Sequence, residues 1–107
     1  MTCLLEDLLR DGLGDCRLNQ LRFTEGGENL CISFERPGRE GDLCVEFVWV
    51  VGLRVELNFG DYQGSPLVGT STFTRLDRDR WSVVIEFSPA PEGCIVLECN
   101  EVRVVQS

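Results

Sequence analysis

Carboxylates and thiols are the groups in this sequence that are most able to support catalysis or metal binding. The chain contains no histidine, and all ten of its basic residues are arginine. Histidine-dependent proton transfer, Cys-His and Ser-His-Asp nucleophile systems, histidine metal sites and Schiff-base lysines are therefore excluded. We expect a protein that is not an enzyme and that carries no cofactor.

Four glutamates, Glu46, Glu56, Glu86 and Glu98, fall on the polar faces of predicted strands. Two carboxylates that face each other across a groove can hydrolyse glycosides. Glutamates that point outward from a strand are common, however, and nothing in the pattern brings two of them together. A carboxylate-dependent hydrolase is therefore the least favoured of three functional hypotheses.

The sequence DRDR, residues 77–80, places Asp77 and Asp79 two positions apart in a predicted turn. Calcium loops need more oxygen ligands than this and a glycine at a fixed position. Because Arg78 and Arg80 alternate with the two acids, the segment is typical of self-neutralising surface charge. The sequence predicts no metal site here.

Six cysteines (Cys3, Cys16, Cys31, Cys44, Cys94 and Cys99) are spread along the chain without a C-x-x-C pair. This spacing disfavours a zinc knuckle or a thioredoxin-type motif. The segment TCLLEDLLRDG after Met1 lacks the features of a signal peptide. We therefore expect a cytoplasmic protein whose thiols are reduced and act as small core hydrophobes.

The net charge of −8 limits the classes of macromolecule that this chain is expected to bind. Nucleic acids and anionic membranes require a cationic surface, so neither is expected as a partner. A basic protein fits the charge, because complementary fields accelerate encounter. The alternative is that the charge serves solubility alone.

The N-terminal leucines Leu4, Leu5, Leu8 and Leu9 recur at helical spacing, and Gly12 can end a helix. The pattern predicts a short amphipathic helix over residues 3–11. Residues 16–24 and 29–36 alternate around the turn TEGGEN and predict a hairpin. The mixed faces of the first strand indicate an edge position or a bulge near Gln20.

The most apolar stretch, CVEFVWVVGLRVELNFG, is interrupted by charged residues well short of the ~20 apolar residues of a membrane helix. It predicts two half-buried strands, or one long strand bent at Gly52. Trp49 shares one predicted face with Phe47 and Val51, and Trp81 begins the apolar face of WSVVIEF. Both tryptophans are therefore expected to pack in the core.

The rest of the chain continues as strands with short turns. In CIVLECNEVRVVQS the alternation loses phase at Asn100, which predicts a bulge or a sheet crossing at Cys99–Asn100. Short strands every 8 to 14 residues are typical of an antiparallel sandwich or a partly open barrel. We expect a mainly β, single domain over residues 1–107, with about seven to eight strands within residues 16–105 after one short N-terminal helix.

The order of the segments GLGDCRLNQLRF, NLCISFE, VEFVWVVGLRVEL and CIVLECNEVRVV, over residues 13–105, resembles a known group of proteins. These are small β-rich uncharacterised bacterial domains, some of them classed as immunity proteins of polymorphic toxin systems. Asp15 matches an acid in a turn of that group, whereas Gly14 stands where a histidine is expected. The resemblance implies a cytosolic binding protein without catalytic activity.

The first hypothesis is therefore a non-catalytic protein-interaction domain, in the form of an immunity protein that neutralises a basic toxin by occlusion. Its candidate contact residues, Asp61, Tyr62, Asp77 and Asp79, are expected on exposed loops. The alternative is a small-ligand carrier, in which Trp49 or Trp81 lines a cavity inside a partly open barrel. A homo-oligomer through an open sheet edge is compatible with either hypothesis.

Overall fold

A computed structural model describes residues 8–10, 12–38, 41–58, 64, 66–88 and 92–106. This part of the chain contains eight strands and one 3-10 turn, Glu25–Gly27. The strands are β1 (Arg17–Thr24), β2 (Asn29–Glu35), β3 (Asp42–Val48), β4 (Val51–Asn58), β5 (Val68–Asp77), β6 (Arg80–Phe87), β7 (Glu92–Cys99) and β8 (Glu101–Gln106).

The strands form two four-stranded antiparallel sheets, so the predicted antiparallel sandwich is confirmed. Sheet 1 has the order β1-β2-β3-β8, and sheet 2 has the order β4-β7-β6-β5. The sheets approach each other along one side, where a bridge joins Arg17 to Leu67 and the amide of Leu18 donates to the carbonyl of Pro66 at 2.8 Å. The sandwich does not close into a barrel.

The core lies between the sheets and is built from alternate residues of the strands. The largest side chains that are fully buried there are Phe34, Phe47, Leu13, Leu30, Ile32, Ile85, Ile95 and Leu97. Phe47 of sheet 1 stacks on Phe73 of sheet 2 with 6.5 Å between ring centroids. The described core contains no buried charged or polar residue, which fits cohesion by apolar packing.

Several local predictions are confirmed. β1 and β2 form the predicted hairpin, and its register shifts between Leu18 and Gln20, where a bulge was expected. β1 is also an edge strand of sheet 1. The loss of phase after Cys99 is a sheet crossing, because β7 belongs to sheet 2 and β8 to sheet 1. The turn over residues 77–80 joins β5 to β6.

Residues 8–10 are helical, and the other residues of the predicted helix 3–11 lie outside the described residues. Leu8 is buried against the core, as the amphipathic pattern requires. The amide of Gly12 donates to the carbonyl of Leu8 at 2.7 Å, with φ of 71° at Gly12. This left-handed glycine ends the helix as predicted. Among the described residues, no helix has the length and apolarity that crossing a membrane requires.

The apolar stretch forms two separate strands, β3 and β4, as the first of its two predicted alternatives requires, and it is not one long strand bent at Gly52. The predicted burial of Trp49 is wrong. The chain leaves sheet 1 at Trp49, which has φ of 59°, and enters sheet 2 at Val51. This left-handed residue ends the alternation, so Trp49 does not follow Phe47 into the core and is 51% exposed. Gly52 lies inside β4, where the pairing with β7 is irregular. Trp81 does pack against the core, as expected.

The expectation of reduced thiols is wrong for two cysteines, because a disulfide joins Cys31 of β2 to Cys44 of β3. Cys31 pairs with Glu46, and Cys44 pairs with Ser33, so both cysteines lie on the outer face of sheet 1 on adjacent strands. Sequence periodicity places them on the same face, but the pairing register that brings them together is a property of the folded hairpin.

Candidate interaction surface

Four chain connections meet at one end of the sandwich. The strands are antiparallel, so the ends of β1, β3, β5 and β7 and the starts of β2, β4, β6 and β8 lie together. The link from β3 to β4 and the link from β7 to β8 are short, and they bring the corresponding ends of the two sheets together. We call this region the turn end and define it as residues 23–29, 48–51, 76–81 and 98–101.

The crossover from β3 to β4 is held against the hairpin between β1 and β2. The amide of Val50 donates to the carbonyl of Glu28 at 2.9 Å. The amide of Trp49 donates to Oδ1 of Asn29 at 3.1 Å. These two bonds fix a backbone conformation that is costly for a bulky residue, since a left-handed φ crowds the side chain against its own backbone. Trp49 is therefore presented to solvent by a rigid crossover.

The remaining connections are tied to the same crossover. The amide of Asn100, between β7 and β8, donates to the carbonyl of Val48 at 2.8 Å. Val51 pairs with Glu98, and the Glu98 carboxylate accepts from a guanidinium nitrogen of Arg80 at 3.3 Å. All four segments of the turn end are thus joined by direct contacts.

Exposed apolar side chains concentrate at the turn end. Six large hydrophobic residues are exposed in the described chain, and four of them lie here. They are Phe23, Trp49, Val51 and Leu76. Phe23 is 53% exposed although it follows the inward alternation of β1, because it lies at the end of an edge strand. Exposed apolar residues that concentrate in one region and include aromatic side chains are typical of protein contacts.

The turn end is also acidic. Its four segments contain six acids and two arginines, a net charge of −4, half of the chain's net −8. Asp77 and Asp79, predicted as contact residues, are both exposed here. The amide of Asp79 donates to Oδ1 of Asp77 at 2.8 Å, so Asp77 also fixes the turn between β5 and β6. The other two predicted contact residues, Asp61 and Tyr62, lie outside the described residues.

Arg75 braces the same turn from the end of β5. Its Nε donates to the carbonyl of Asp77 at 3.3 Å, and a terminal nitrogen donates to the carbonyl of Arg78 at 3.0 Å. Its guanidinium carbon lies 5.5 Å from the centre of the Trp81 ring, a distance at which a cation and an aromatic face attract. The turn that carries the exposed acids is therefore held by several independent contacts.

The four strand glutamates do not form one site. Glu46 lies on the outer face of sheet 1, 3.6 Å from Arg103. The others lie on the outer face of sheet 2. Glu56 and Glu86 flank Cys94 from opposite sides, which separates them by two strand spacings, about 10 Å. The described residues contain no group of three or more side chains placed to hold a metal ion.

The described free thiols, Cys16, Cys94 and Cys99, differ in their surroundings. Burial raises the pKa of the Cys99 thiol to about 11, and a hydrogen bond from the backbone of Glu101 opposes the shift. Burial also raises the pKa of Cys16, with Arg36 opposing. Since the thiolate is the reactive form, Cys16 and Cys99 are not activated nucleophiles.

A surface depression of about 290 Å³ lies at the opposite end of the sandwich, lined by Asp15, Arg17, Glu35, Arg36, Pro37 and Leu67. It is formed where the start of β1, the end of β2 and the segment before β5 meet. Neither tryptophan lines it, and it lies outside the core. The carrier hypothesis expected a cavity inside the barrel with a tryptophan in its wall, and this depression does not match that description.

Sequence reasoning missed Phe23, Trp49, Val51 and Leu76 as exposed residues. The sequence did contain one indication of exposure, because Phe23 directly precedes the turn TEGGEN and Leu76 directly precedes the turn DRDR. Their shared location follows from the topology, which the sequence does not contain explicitly. No protein-family model and no curated protein matches this chain.

Proposed function

We propose that this chain is a non-catalytic protein-interaction domain that binds a basic protein through its turn end. The observation that carries the proposal is that four of the six large hydrophobic residues exposed in the described chain, Trp49 among them, lie at the turn end, which also holds half of the chain's net negative charge. Hot spots in protein interfaces are enriched in tryptophan and are surrounded by polar residues that exclude water. The turn end offers this combination on a rigid support.

The electrostatic part of the proposal explains the choice of partner. Acids at the turn end attract a basic surface and speed its approach, whereas buried apolar contacts around Trp49 and Phe23 slow its release. In the more specific form, the partner is a basic toxin, and this chain neutralises it by covering its functional surface. The mechanism depends on complementary shape, opposite charge and apolar contact, and no thiol or carboxylate acts as a nucleophile or as an acid–base catalyst.

The test is quantitative affinity capture from the native lysate with paired variants. Trp49→Asn removes the aromatic side chain, and asparagine tolerates the left-handed φ better than most residues. We expect the retained basic protein to bind roughly 30-fold more weakly, as for the loss of a ~2 kcal/mol hot spot. The matched control is Leu9→Gln, since Leu9 is also exposed but lies on the helical residues at the opposite end.

A second pair of variants tests the charge. Asp77→Asn with Asp79→Asn removes two charges and keeps the Oδ1 acceptor that fixes the turn. We expect slower association and a weaker dependence on salt. Glu92→Gln, at the opposite end of β7, is the control. Capture of a basic protein that is unaffected by both turn-end changes would overturn the proposed surface.

A further inference from the structure

β4 is an edge strand, which makes its free side a second candidate surface. It lies at the end of sheet 2 and pairs with β7 along one side. In the described part of the chain, no strand pairs with its other side. An unprotected edge presents backbone donors and acceptors that can pair with another strand. β4 has eight residues and no proline, so its free edge is able to pair with another strand.

The side chains of β4 divide into two rows. Leu53, Val55 and Leu57 follow the inner face, but their position at the edge leaves Val55 43% exposed and the two leucines half-buried. Arg54 and Glu56 lie on the outer face, 3.4 Å apart, and each side chain is 63% exposed. The free edge thus carries one incompletely buried apolar row and one basic–acidic pair.

We propose that β4 pairs with β4 of a second copy of this chain, antiparallel, with Val55 on the two-fold axis. In this register Arg54 lies opposite Glu56 of the second copy, and the same pair repeats on the other side of the axis. Leu53 lies opposite Leu57 of the second copy, so the apolar rows also meet. Each arginine then has two carboxylate neighbours, one on its own strand and one across the interface.

The charges select this register over its neighbours. Centring the axis on Arg54 sets two arginines opposite each other, and centring it on Glu56 sets two glutamates opposite each other. A shift by one residue places inner side chains against outer ones, which breaks the match of the faces. Pairing around Val55 places apolar side chains opposite apolar ones and opposite charges opposite each other over residues 53–57.

The other edges offer less. The starts of β1 and β5 are engaged with each other through the bridge between Arg17 and Leu67. β8 is shorter, with six residues against the eight of β4. The residues that pair in this register, 53–57, lie outside the turn end, so the inference does not rest on the proposed function.

The test is sedimentation equilibrium of the purified chain from about 1 µM to about 1 mM, a range that brackets a weak dimer. Arg54→Glu places glutamates opposite glutamates, and Glu56→Arg places arginines opposite arginines. We expect each variant to dimerise roughly tenfold or more weakly than the wild type, because two attractive pairs become repulsive. Mixing the two variants restores both attractive pairs, so the mixture is expected to form a heterodimer.

Two controls change charge by the same amount elsewhere on sheet 2. Arg80→Glu matches Arg54→Glu, and Glu86→Arg matches Glu56→Arg; both are expected to dimerise like the wild type. The pair of Arg54 and Glu56 is largely exposed and contributes little to folding, so the test variants are expected to fold. A monomeric wild type, single variants that dimerise normally, or a mixture that stays monomeric would each overturn the inference.

Discussion

The disulfide between Cys31 and Cys44 gives a quantitative prediction about stability. It joins neighbouring strands of sheet 1, and the two cysteines are separated by 13 positions in sequence. In the chain-entropy treatment, closing a loop of this length removes enough freedom from the unfolded chain to stabilise the fold by about 3 kcal/mol. Small domains have a free energy of unfolding of about 5–15 kcal/mol, so this is a large share.

The assay is urea unfolding followed by tryptophan fluorescence, with and without reductant. We expect oxidised wild type to lose about 3 kcal/mol on reduction, and Cys31→Ala/Cys44→Ala to show no dependence on reductant. Cys16→Ala is the control, since Cys16 is a buried free thiol and its variant should keep the full response to reductant. A second readout comes from a non-reducing tryptic digest, in which peptides 23–39 and 40–54 should remain linked.

Equal unfolding free energies for wild type in the two conditions, together with separate peptides, would contradict the disulfide. Linked peptides with equal free energies would instead contradict the entropic argument, because the bond would exist without stabilising the fold. The two readouts therefore distinguish the existence of the bond from its effect.

Three further predictions concern the core and its immediate surroundings. Gly93→Ala places a Cβ against the backbone of Glu56, so thermal unfolding should show a loss of roughly 1–3 kcal/mol in the free energy of unfolding, or the variant should fail to fold. The control Gly14→Ala should have little effect, because a Cβ there meets nothing closer than 3.9 Å. Burial raises the pKa of Cys99 from 9.0 to about 11 in the folded state, so the protonated thiol favours the folded state fully below pH 9, and this contribution is lost as the pH rises from 9 to 11. The contribution is roughly 2–3 kcal/mol of unfolding free energy, and Cys99→Ala should lack this pH dependence in urea unfolding under reducing conditions. Phe47→Ala should lower the free energy of unfolding by about 3–5 kcal/mol in the same assay, and a loss below about 1 kcal/mol would contradict the central position of Phe47.

Much of the fold was predictable because alternation along a strand reports directly on burial. The hairpin of β1 and β2 and the apolar face of β6 follow from side chains that alternate between core and solvent. The crossing after Cys99 was predictable for the same reason, since a change of sheet reverses the inward phase.

The failures have a different origin. Trp49 continues the alternation of β3 in sequence, but the backbone turns left-handed at that residue, and periodicity does not report on φ. The choice between a sandwich and a partly open barrel was left open rather than wrongly predicted, because both share the same strand pattern and only the pairing of strands distinguishes them. The Cys31–Cys44 bond likewise depends on register. Charge pointed to Asp77 and Asp79, but their position beside exposed apolar residues depends on the topology.

The proposed binding of a basic protein through the turn end can be tested directly. The most direct measurement is amide hydrogen exchange of this chain with and without the basic protein retained in capture. Binding at the turn end is expected to add protection in residues 23–29, 48–51, 76–81 and 98–101, with little change in residues 64–68. Protection confined to residues 12–17 and 35–38, around the depression at the opposite end, would contradict it.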